Sequence, residues 1–401
     1  MRVVLSTFGS RGDVEPLAGL AVRLRECGAG VVVCAPPDED FAALLAGAGV
    51  AMVPVGPSAR ELTQAPPASV SLPERAAQIV AAQFEAVDAV ARDADLLVAT
   101  GAMPAAAGAL SVAERHGVRS VSVTFQQLTL PSAQRAPLAY RGRPFPPEIT
   151  GTAARWEFDA ATIDELFGAA VNSSRVAAGM APVDGVRDYV IGKRPWLATD
   201  PTLDPWTGRP ELEVVQTGSW LLPDTRPLAP ELVEFLDAGA PPVYVGFGSM
   251  AMHGSADVAE VALGTARALG RRVVLARGWA ELTAAGDRAD CFVVGEVNQQ
   301  ALFQRVAAVV HHGGQGTTTT ATRAGAPQVV VPQLADQPYW AGRVAALGIG
   351  VAHDGATPTV ASLTTALDSA LSPATARRAE EVAALIRTDG VAVAAELLLA
   401  H

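Results

Sequence analysis

The sequence of 401 residues predicts an α/β protein with two doubly wound domains. Short runs rich in Val and other β-branched residues alternate with segments of helix length, which is typical of βαβ units and parallel sheets. This alternation occurs twice, and a Pro-rich stretch from Thr217 to Pro242 separates the two series. The length also fits two domains of about 100–200 residues each.

The first series occupies the N-terminal half of the chain. Its predicted strands are Arg2–Thr7, Gly30–Pro36, Val50–Val55, Asp95–Thr100 and Arg119–Phe125, and its clearest helices are Val14–Cys27 and Asp38–Ala46. The segment Pro131–Glu148 is rich in Pro and Arg and has no period, so we expect a long loop there. Long loops in compact domains are usually functional.

The second series follows a short predicted helix, Pro230–Ala238. Its predicted strands are Val243–Gly248, Arg271–Ala276, Cys291–Val297, Ala307–His312, Gln328–Gln333 and Ile349–His353, and the chain is predicted to end in one helix, Ala374–Leu399. We therefore expect an N-terminal domain of residues 1–216, a linker of residues 217–242 and a C-terminal domain of residues 243–401.

The composition excludes several classes of protein. Apolar residues make up 50% of the chain and charged residues 18%, so disorder is not expected. The net charge of −11 argues against nucleic-acid binding and against a basic membrane-surface patch. We expect no signal peptide, transmembrane helix, disulfide framework or zinc site, and we predict a cytoplasmic protein, monomeric or homodimeric.

The segment FGSRGDVEP (Phe8–Pro16) has two interpretations. The letters RGD are those of an exposed cell-adhesion tripeptide, but a cytoplasmic location weakens that interpretation. The segment directly follows a predicted strand and precedes a predicted helix. It therefore also fits a tight turn in which Asp13 either faces a ligand cleft or simply caps the helix.

The strongest local signal is HHGGQGTTTTATRAGAPQVVVPQLADQP (His311–Pro338). A strand ends at two histidines, a Gly-Gly-x-Gly turn follows, and a Thr-rich helix begins. Backbone N–H groups and the helix dipole favour an anion at such a helix start. The predicted phosphate contacts are Gly313, Gly314 and Gly316 through the backbone, Thr317 through its hydroxyl, and His312 through a charge-assisted hydrogen bond. A plain strand-to-helix connection capped by Thr317 remains the alternative.

Asp336 and Gln337 follow the next predicted strand and reach the same edge of the sheet. A carboxylate and an amide together suit the hydroxyl groups of a sugar, and an ordinary surface turn before Pro338 is the alternative. Two weaker patterns compete with this site. GFGSMA (Gly246–Ala251) fits a dinucleotide fingerprint and would suit an NADP-dependent oxidoreductase. The DAD of Asp93–Asp95 imitates a metal-binding pair, but it precedes a strand, which favours a polar turn.

Two parts of the chain resemble a known family. His311–Pro338 resembles the nucleotide-sugar site of GT-B glycosyltransferases. FGSRGDVEP and GRVAALGIGVAHDG (Gly342–Gly355) resemble the actinobacterial antibiotic glycosyltransferases, which transfer sugars from dTDP- or UDP-sugars to glycopeptide and polyketide aglycones. The resemblance is dense in the first 37 residues and from Pro201 onwards. It is weak from Ala65 to Thr199, where the family has its acceptor pocket.

The resemblance implies two Rossmann-like domains that face each other across a cleft, with the last helix packing back on the N-terminal domain. It also implies an inverting, metal-independent transfer of a hexose or deoxyhexose to a hydroxyl of an apolar aglycone, with no cofactor. A non-catalytic protein that binds a nucleotide or carbohydrate is the alternative outside enzymes.

The resemblance also assigns roles to residues. The implied donor-binding residues are Ser10, Arg11, Gly12, Ser249, His312, Gly314, Gly316, Thr317, Asp336 and Gln337, with Trp279 and the backbone of Val297 at the nucleobase. Arg143 and Phe145 are expected on the acceptor side. For Trp279, a place in the core or in an interface is an equally good interpretation, and for Arg11 a solvated loop charge is the alternative.

Asp13 is the implied general base, which removes the proton of the acceptor hydroxyl as that hydroxyl attacks. Positioned acid–base catalysis contributes about 10²–10⁴-fold to a rate. A helix N-terminus favours the charged carboxylate and so makes it a weaker base. The rate enhancement would then come from the orientation of the carboxylate and not from a high pKa. Many related enzymes have a His in this turn, and this sequence has none there.

Overall fold

The computed structural model describes residues 1–64, 70–140, 142–208, 211–247, 255–278 and 289–400. The chain divides into two compact units. Unit 1 comprises residues 1–200, 205–222 and 388–401, and unit 2 comprises residues 201–204 and 223–387. The expected linker of residues 217–242 is therefore shared between the units, and the chain passes briefly into unit 2 at residues 201–204.

Within its described residues, unit 1 contains a seven-stranded parallel sheet in the order β3-β2-β1-β4-β5-β6-β7. The strands are β1 (Arg2–Ser6), β2 (Gly30–Ala35), β3 (Ala51–Pro54), β4 (Leu96–Ala99), β5 (Arg119–Thr124), β6 (Trp196–Leu197) and β7 (Val215–Gln216). The helices are α1 (Arg11–Glu26), α2 (Glu39–Gly47), α3 (Ala59–Gln64), α4 (Leu72–Ala91), α5 (Met103–His116), α6 (Thr152–Ile163), α7 (Ala169–Ala177) and α8 (Val186–Ile191).

The described part of unit 2 contains a six-stranded parallel sheet in the order β10-β9-β8-β11-β12-β13. The strands are β8 (Val243–Gly246), β9 (Val273–Ala276), β10 (Cys291–Val294), β11 (Ala308–His311), β12 (Gln328–Val330) and β13 (Gly350–Ala352). The helices are α9 (Pro230–Asp237), α10 (Ser255–Ala268), α11 (Gln299–Leu302), α12 (Gln315–Arg323), α13 (Gln337–Ala346), α14 (Val360–Ala370) and α15 (Pro373–Ala383). A final helix, α16 (Gly390–Leu399), belongs to unit 1.

The predicted fold class is confirmed, because both sheets are parallel and covered by helices. In β1, Val3 and Leu5 pack in the apolar cluster that includes residues of α1 and α16, whereas Val4 packs in the cluster that includes residues of α4 and α5. Successive side chains of a strand point to opposite faces, so both faces of this sheet are buried. In β8, Val243 and Tyr244 divide between two clusters in the same way.

The prediction of one helix over Ala374–Leu399 is wrong. The structure has two helices, α15 and α16, and the chain crosses from unit 2 to unit 1 between them. Gly390 opens α16, and a Cβ atom added to it would lie 2.4 Å from the backbone oxygen of Ser219. This close approach requires glycine and fixes the start of α16 on unit 1, where Ala394, Ala395 and Leu398 pack in the same cluster as α1.

A membrane-spanning helix needs sufficient length and hydropathy. None of the helices in the described ranges is both long enough and apolar enough to cross a membrane.

Candidate active site

The first functional turn lies in unit 1, between β1 and α1. Ser10 is the N-cap of α1, and Asp13 is its third helical residue. The Ser10 N–H donates to Asp13 Oδ2 at 2.8 Å, and the Gly12 N–H donates to Ser10 Oγ at 3.2 Å. The two side chains form a capping box. The predicted helix start at Val14, and the alternative that Asp13 is the N-cap, are therefore wrong.

The Asp13 carboxylate is held in a fixed position. A Cβ atom on Gly9 would lie 2.1 Å from Asp13 Oδ2, so the carboxylate occupies the space that a side chain at position 9 would need. One carboxylate oxygen thus closes the turn, and this contact sets the orientation of the whole group. The Asp13 side chain is half-buried.

Arg11, Gly12 and Asp13 form the first turn of a helix and not an exposed loop, which removes the basis for the adhesion interpretation. Ser10 and Gly12 are exposed. The Arg11 side chain is 32% exposed, and its Nε donates to Glu15 Oε2 at 2.7 Å. Arg11 is thus an ion-paired residue of the α1 surface.

The second functional turn lies in unit 2, between β11 and α12. Gly314 is the N-cap of α12, and as a glycine it has no side chain with which to cap the helix. The first intrahelical bond runs from Thr318 N–H to Gly314 O, at 2.9 Å. The N–H groups of the residues before Thr318 therefore lie at an open helix start. Thr317 is the third residue of the helix, so the alternative of a Thr317 cap is wrong.

Glycine occurs at three positions of this turn for different physical reasons. Gly313 has a φ of +94°, and a Cβ atom there would lie 2.7 Å from Val330 Cγ1. A Cβ atom on Gly314 would lie 2.6 Å from His312 Nε2. Apart from the helix's own backbone and the two chain neighbours, no atom of the described residues lies within 4 Å of the Cβ position of Gly316, so these residues leave open space above the first helical turn. The turn is thus closed on its inner side and open on its outer side.

His312 is partly buried and electrically neutral. Burial lowers its pKa to about 4. Its Nδ1 atom is buried and has no hydrogen-bond partner among the residues that the structure describes. The expectation of a hydrogen bond from a charged imidazole at neutral pH must therefore be corrected. A neutral ring can still donate one hydrogen bond and accept another.

The loop after β12 brings Asp336 and Gln337 to the start of α13, where Asp336 is the N-cap. Trp340 Nε1 donates to Asp336 Oδ2 at 2.7 Å, and Gln337 Oε1 accepts from Gln333 N–H at 2.7 Å. Burial raises the pKa of Asp336, and the Trp340 hydrogen bond opposes that rise. Ala335, with a φ of +55°, is the one non-Gly residue of the described ranges with positive φ. Both predicted sugar-binding side chains therefore also shape their own loop.

Of the three other predicted donor contacts, Val297, Ser249 and Trp279, the structure describes Val297. Val297 follows β10 and packs partly buried against the cluster of Leu232 and Phe303. Ser249 and Trp279 lie outside the described residues, as do Gly248–Ala251 of the dinucleotide-like pattern. Asp93 and Asp95 lie between α4 and β4, and both accept hydrogen bonds from Arg2. This arrangement fits a polar turn.

The predicted acceptor residues lie in the long loop of unit 1. Phe145 packs edge-to-face on Phe158 with 5.8 Å between ring centroids, and the Arg155 guanidinium lies 5.3 Å from the Phe145 ring. Arg143 Nη1 lies 2.7 Å from Glu165 Oε2. Both residues thus tie the loop to the segment from α6 to α7.

Two ionisable residues beside this loop, Tyr140 and Asp159, were not predicted from the sequence. They line the same small pocket as Arg143 and Phe145. Burial raises the pKa of Asp159 to about 6, although Arg187 opposes the rise, and burial also raises the pKa of Tyr140. No spacing or motif marks these positions. Only the packing of α6 against the loop reveals them.

Comparisons with known proteins identify the family. A family model described as erythromycin biosynthesis protein CIII-like, C-terminal domain, matches residues 273–394. The chain is 51% identical over 403 residues to glycosyltransferase GtfE of Amycolatopsis orientalis, covering 100% of this chain and 97% of that protein. It is 50% identical over 401 residues to the vancomycin aglycone glucosyltransferase of the same organism, with the same coverage. The chain belongs to the antibiotic glycosyltransferases.

The fold of this glycosyltransferase agrees with solved relatives. The crystal structure of glycosyltransferase VinC in complex with dTDP has a TM-score of 0.67 at 22% identity, covering 96% of this chain and 95% of that one. The chain is thus an enzyme of the GT-B class that transfers a sugar in antibiotic biosynthesis. The alternatives of an oxidoreductase and of a non-catalytic binding protein gain no support.

The neutral state of His311, the residue before His312, leads to a prediction about stability and pH. His311 is 0% exposed, and burial, with His312 beside it, lowers its pKa to about 3. In the unfolded chain a His takes up a proton below about pH 6.5. The stability that this group contributes is therefore present above pH 6.5 and is lost as the pH falls toward 3.

Between pH 7 and pH 5.5, the wild type should lose about 1 kcal/mol more unfolding free energy than His311→Gln. Urea unfolding of both proteins at the two pH values measures this difference. An equal loss in both proteins would show that His311 is not held neutral in the folded state.

Proposed function

We propose that the enzyme transfers a hexose or deoxyhexose from a dTDP- or UDP-sugar to a hydroxyl of a glycopeptide-type aglycone, with inversion and without a metal ion. The observation that carries the proposal is the Asp13 carboxylate, which Ser10 N–H and Gly9 hold at the start of α1. Two relatives at about 50% identity are glycosyltransferases, and one of them is named for the vancomycin aglycone. A polyketide aglycone is the second candidate, because the matching family model is named for an erythromycin protein.

The chemistry needs one group that accepts a proton. In an inverting transfer, the acceptor hydroxyl attacks the anomeric carbon from the face opposite the leaving diphosphate and loses its proton as it does so. Asp13 takes this proton. Its carboxylate contributes through orientation, because the capping box and Gly9 hold it in one place.

The leaving diphosphate needs groups that bind negative charge. The open start of α12 supplies backbone N–H groups and the positive end of a helix dipole, and Gly316 leaves room for the phosphate oxygens. Thr317 and neutral His312 add hydrogen bonds. Because these donors are fixed before the reaction, they stabilise the charge that develops on the diphosphate.

The remaining assignments are predictions that follow from the resemblance. They are Ser10, Arg11, Gly12 and Ser249 at the diphosphate, Trp279 and the Val297 backbone at the nucleobase, Asp336 and Gln337 at the sugar, and Arg143 and Phe145 at the aglycone. A cytoplasmic location and a monomeric or homodimeric state also stay predictions.

The first prediction of this function concerns the donor. Calorimetry in the presence of a chelator should show binding of dTDP or UDP, because the α12 turn binds the diphosphate through its own N–H groups. His312→Ala should weaken this binding by about tenfold to a hundredfold, which is the usual cost of a lost hydrogen bond to a charged group.

His116→Ala is the control, since His116 pairs with Asp88 in unit 1 and has no role in the α12 turn. An unchanged dissociation constant for His312→Ala would remove this residue from the donor site. Tight binding of NADP with no response to either diphosphate would favour the oxidoreductase.

The second prediction concerns Asp13. In Asp13→Asn the amide oxygen can still accept from Ser10 N–H, so the free energy of unfolding should change by well under 1 kcal/mol. Donor affinity should stay almost unchanged. Turnover should fall by about 10²-fold or more, because an amide cannot take the proton of the acceptor.

The chain offers a matched control for this change. Glu74 is the third residue of α4 and closes a second capping box with Ser71, whose N–H donates to Glu74 Oε2 at 2.9 Å. Glu74→Gln makes the same change from carboxylate to amide and should leave turnover unaffected. Full activity of Asp13→Asn on an aliphatic alcohol at neutral pH would exclude Asp13 as the base. With a phenolic acceptor, the defect should shrink as the pH approaches about 10, where the phenol ionises by itself.

A further inference from the structure

A chain of buried hydrogen bonds begins at the first glycine of the α12 turn. Gly313 N–H donates to His311 Nδ1 at 3.1 Å, and His311 Nε2 lies 2.9 Å from Gln328 Oε1. His311 ends β11 and Gln328 begins β12, and both side chains are 0% exposed. Two neighbouring strands thus contribute side chains to the support of one backbone N–H group.

The same chain of hydrogen bonds returns to the second glycine of the turn. Gln328 Nε2 donates to Thr322 Oγ1 at 2.9 Å, Thr322 Oγ1 donates to the Thr318 carbonyl oxygen at 2.8 Å, and Thr318 Oγ1 donates to the Gly314 carbonyl oxygen at 2.9 Å. Both threonines are buried on α12. The side chains of His311, Gln328 and Thr322 therefore connect Gly313 N–H to the backbone of Thr318, and the Thr318 hydroxyl makes the last bond, to Gly314 O.

These contacts fix which ring nitrogen of His311 carries the proton. Nδ1 accepts from Gly313 N–H, so the proton of the neutral ring is on Nε2 and is donated to Gln328 Oε1. Burial lowers the His311 pKa to about 3, which keeps the ring in this single state at neutral pH. A protonated ring would lose the acceptor for Gly313 N–H.

We propose that His311 is a positioning residue for the donor, which acts through Gly313 N–H, and that the Gln328–Thr322–Thr318 series holds Gly314 O in the same way. The turn between Gly313 and Gly314 is then formed before the nucleoside diphosphate arrives. This inference rests on the proposed function of the α12 turn as the diphosphate site.

The physical reason is the precision that anion binding by backbone groups demands. The N–H groups of a turn bind a phosphate only when all of them point to one place, and a flexible glycine pair does not ensure this by itself. Gly313, with its φ of +94°, is held by its bond to His311, and Gly314 is held through its carbonyl oxygen. Losing either support should weaken donor binding while the protein remains folded.

Two isosteric variants test the hydrogen bonds of the two His311 ring nitrogens one at a time. In His311→Asn the side-chain oxygen can take the place of Nδ1 and accept from Gly313 N–H, while the bond to Gln328 is lost. In His311→Gln the terminal amide can take the place of Nε2 and donate to Gln328, while Gly313 N–H loses its acceptor. The two variants thus remove opposite halves of the contact.

We expect His311→Gln to raise the KM for the nucleotide-sugar, and the dissociation constant of the nucleoside diphosphate that the wild type binds more tightly, by about tenfold. The KM for the acceptor should stay unchanged, and kcat should change less than the donor KM. His311→Asn should restore most of the donor affinity. A purely structural role would lower the activity of both variants alike, without this split.

A second pair of variants tests the far end of the hydrogen-bond chain and decides the matter if a His311 variant fails to fold. Thr322→Val removes the hydroxyl between Gln328 and Thr318 and should also weaken binding of the diphosphate. Thr365→Val is its control, because exposed Thr365 of α14 donates its Oγ1 hydroxyl to the Ala361 carbonyl oxygen in the same helical geometry. The control should bind the diphosphate as the wild type does.

The outcomes distinguish this inference from the proposed function. If the wild type binds neither dTDP nor UDP, the proposed function fails, and this inference fails with it. If the wild type binds a diphosphate but His311→Gln and Thr322→Val bind it equally well, only the positioning role is overturned. Equal loss in His311→Gln and His311→Asn, at unchanged melting temperatures, would also overturn it.

Discussion

A helix that begins directly after a parallel strand leaves its first backbone N–H groups without intrahelical partners, and both functional turns of this glycosyltransferase depend on that constraint. The two turns meet it in opposite ways. At α1, the side chains of Ser10 and Asp13 close the helix start through a capping box. At α12, the N-cap is Gly314, which has no side chain to cap the helix. One helix start is therefore closed and presents a carboxylate, while the other is open and presents N–H groups.

This difference matches the two tasks of glycosyl transfer. The proposed proton acceptor, Asp13, must be held still, and the capping box does this at the cost of one carboxylate oxygen. The proposed diphosphate site needs hydrogen-bond donors that require no rearrangement, and the start of α12 would supply them. Buried side chains below the α12 turn hold its geometry, since His311 and Thr318 bind its first two glycines.

Much of the fold could be predicted from the sequence, because buried parallel strands are short β-branched runs that stand out between helices. The centre of each predicted strand agrees with the structure and the ends differ by a few residues, whereas the two-residue strands β6 and β7 were not predicted. The long helix over Ala374–Leu399 was wrong because its Ala- and Leu-rich pattern continues on both sides of a break. The Asp389-Gly390 pair at that break signals a turn, and Gly390 is required there by its contact with Ser219.

The candidate site was predictable only in part. The Gly-rich turn and Asp13 are visible as local patterns, and the capping box could have been found from the spacing of Ser10 and Asp13. The neutral state of His312 could not be predicted, because it results from burial in the folded protein. His311 and Gln328 both lie in the Gly-rich motif, but they are 17 residues apart on neighbouring strands, and the pattern of the motif does not predict a hydrogen bond between their side chains.

Product analysis tests most directly whether these two turns perform an inverting, metal-independent sugar transfer. The enzyme would be incubated with chelator, a panel of dTDP- and UDP-sugars, and glycopeptide and polyketide aglycones, and the products examined by mass spectrometry and NMR. We expect an aglycone that has gained one sugar, with the anomeric configuration opposite to that of the donor. Loss of product on adding chelator, or a product that retains the donor configuration, would contradict this account.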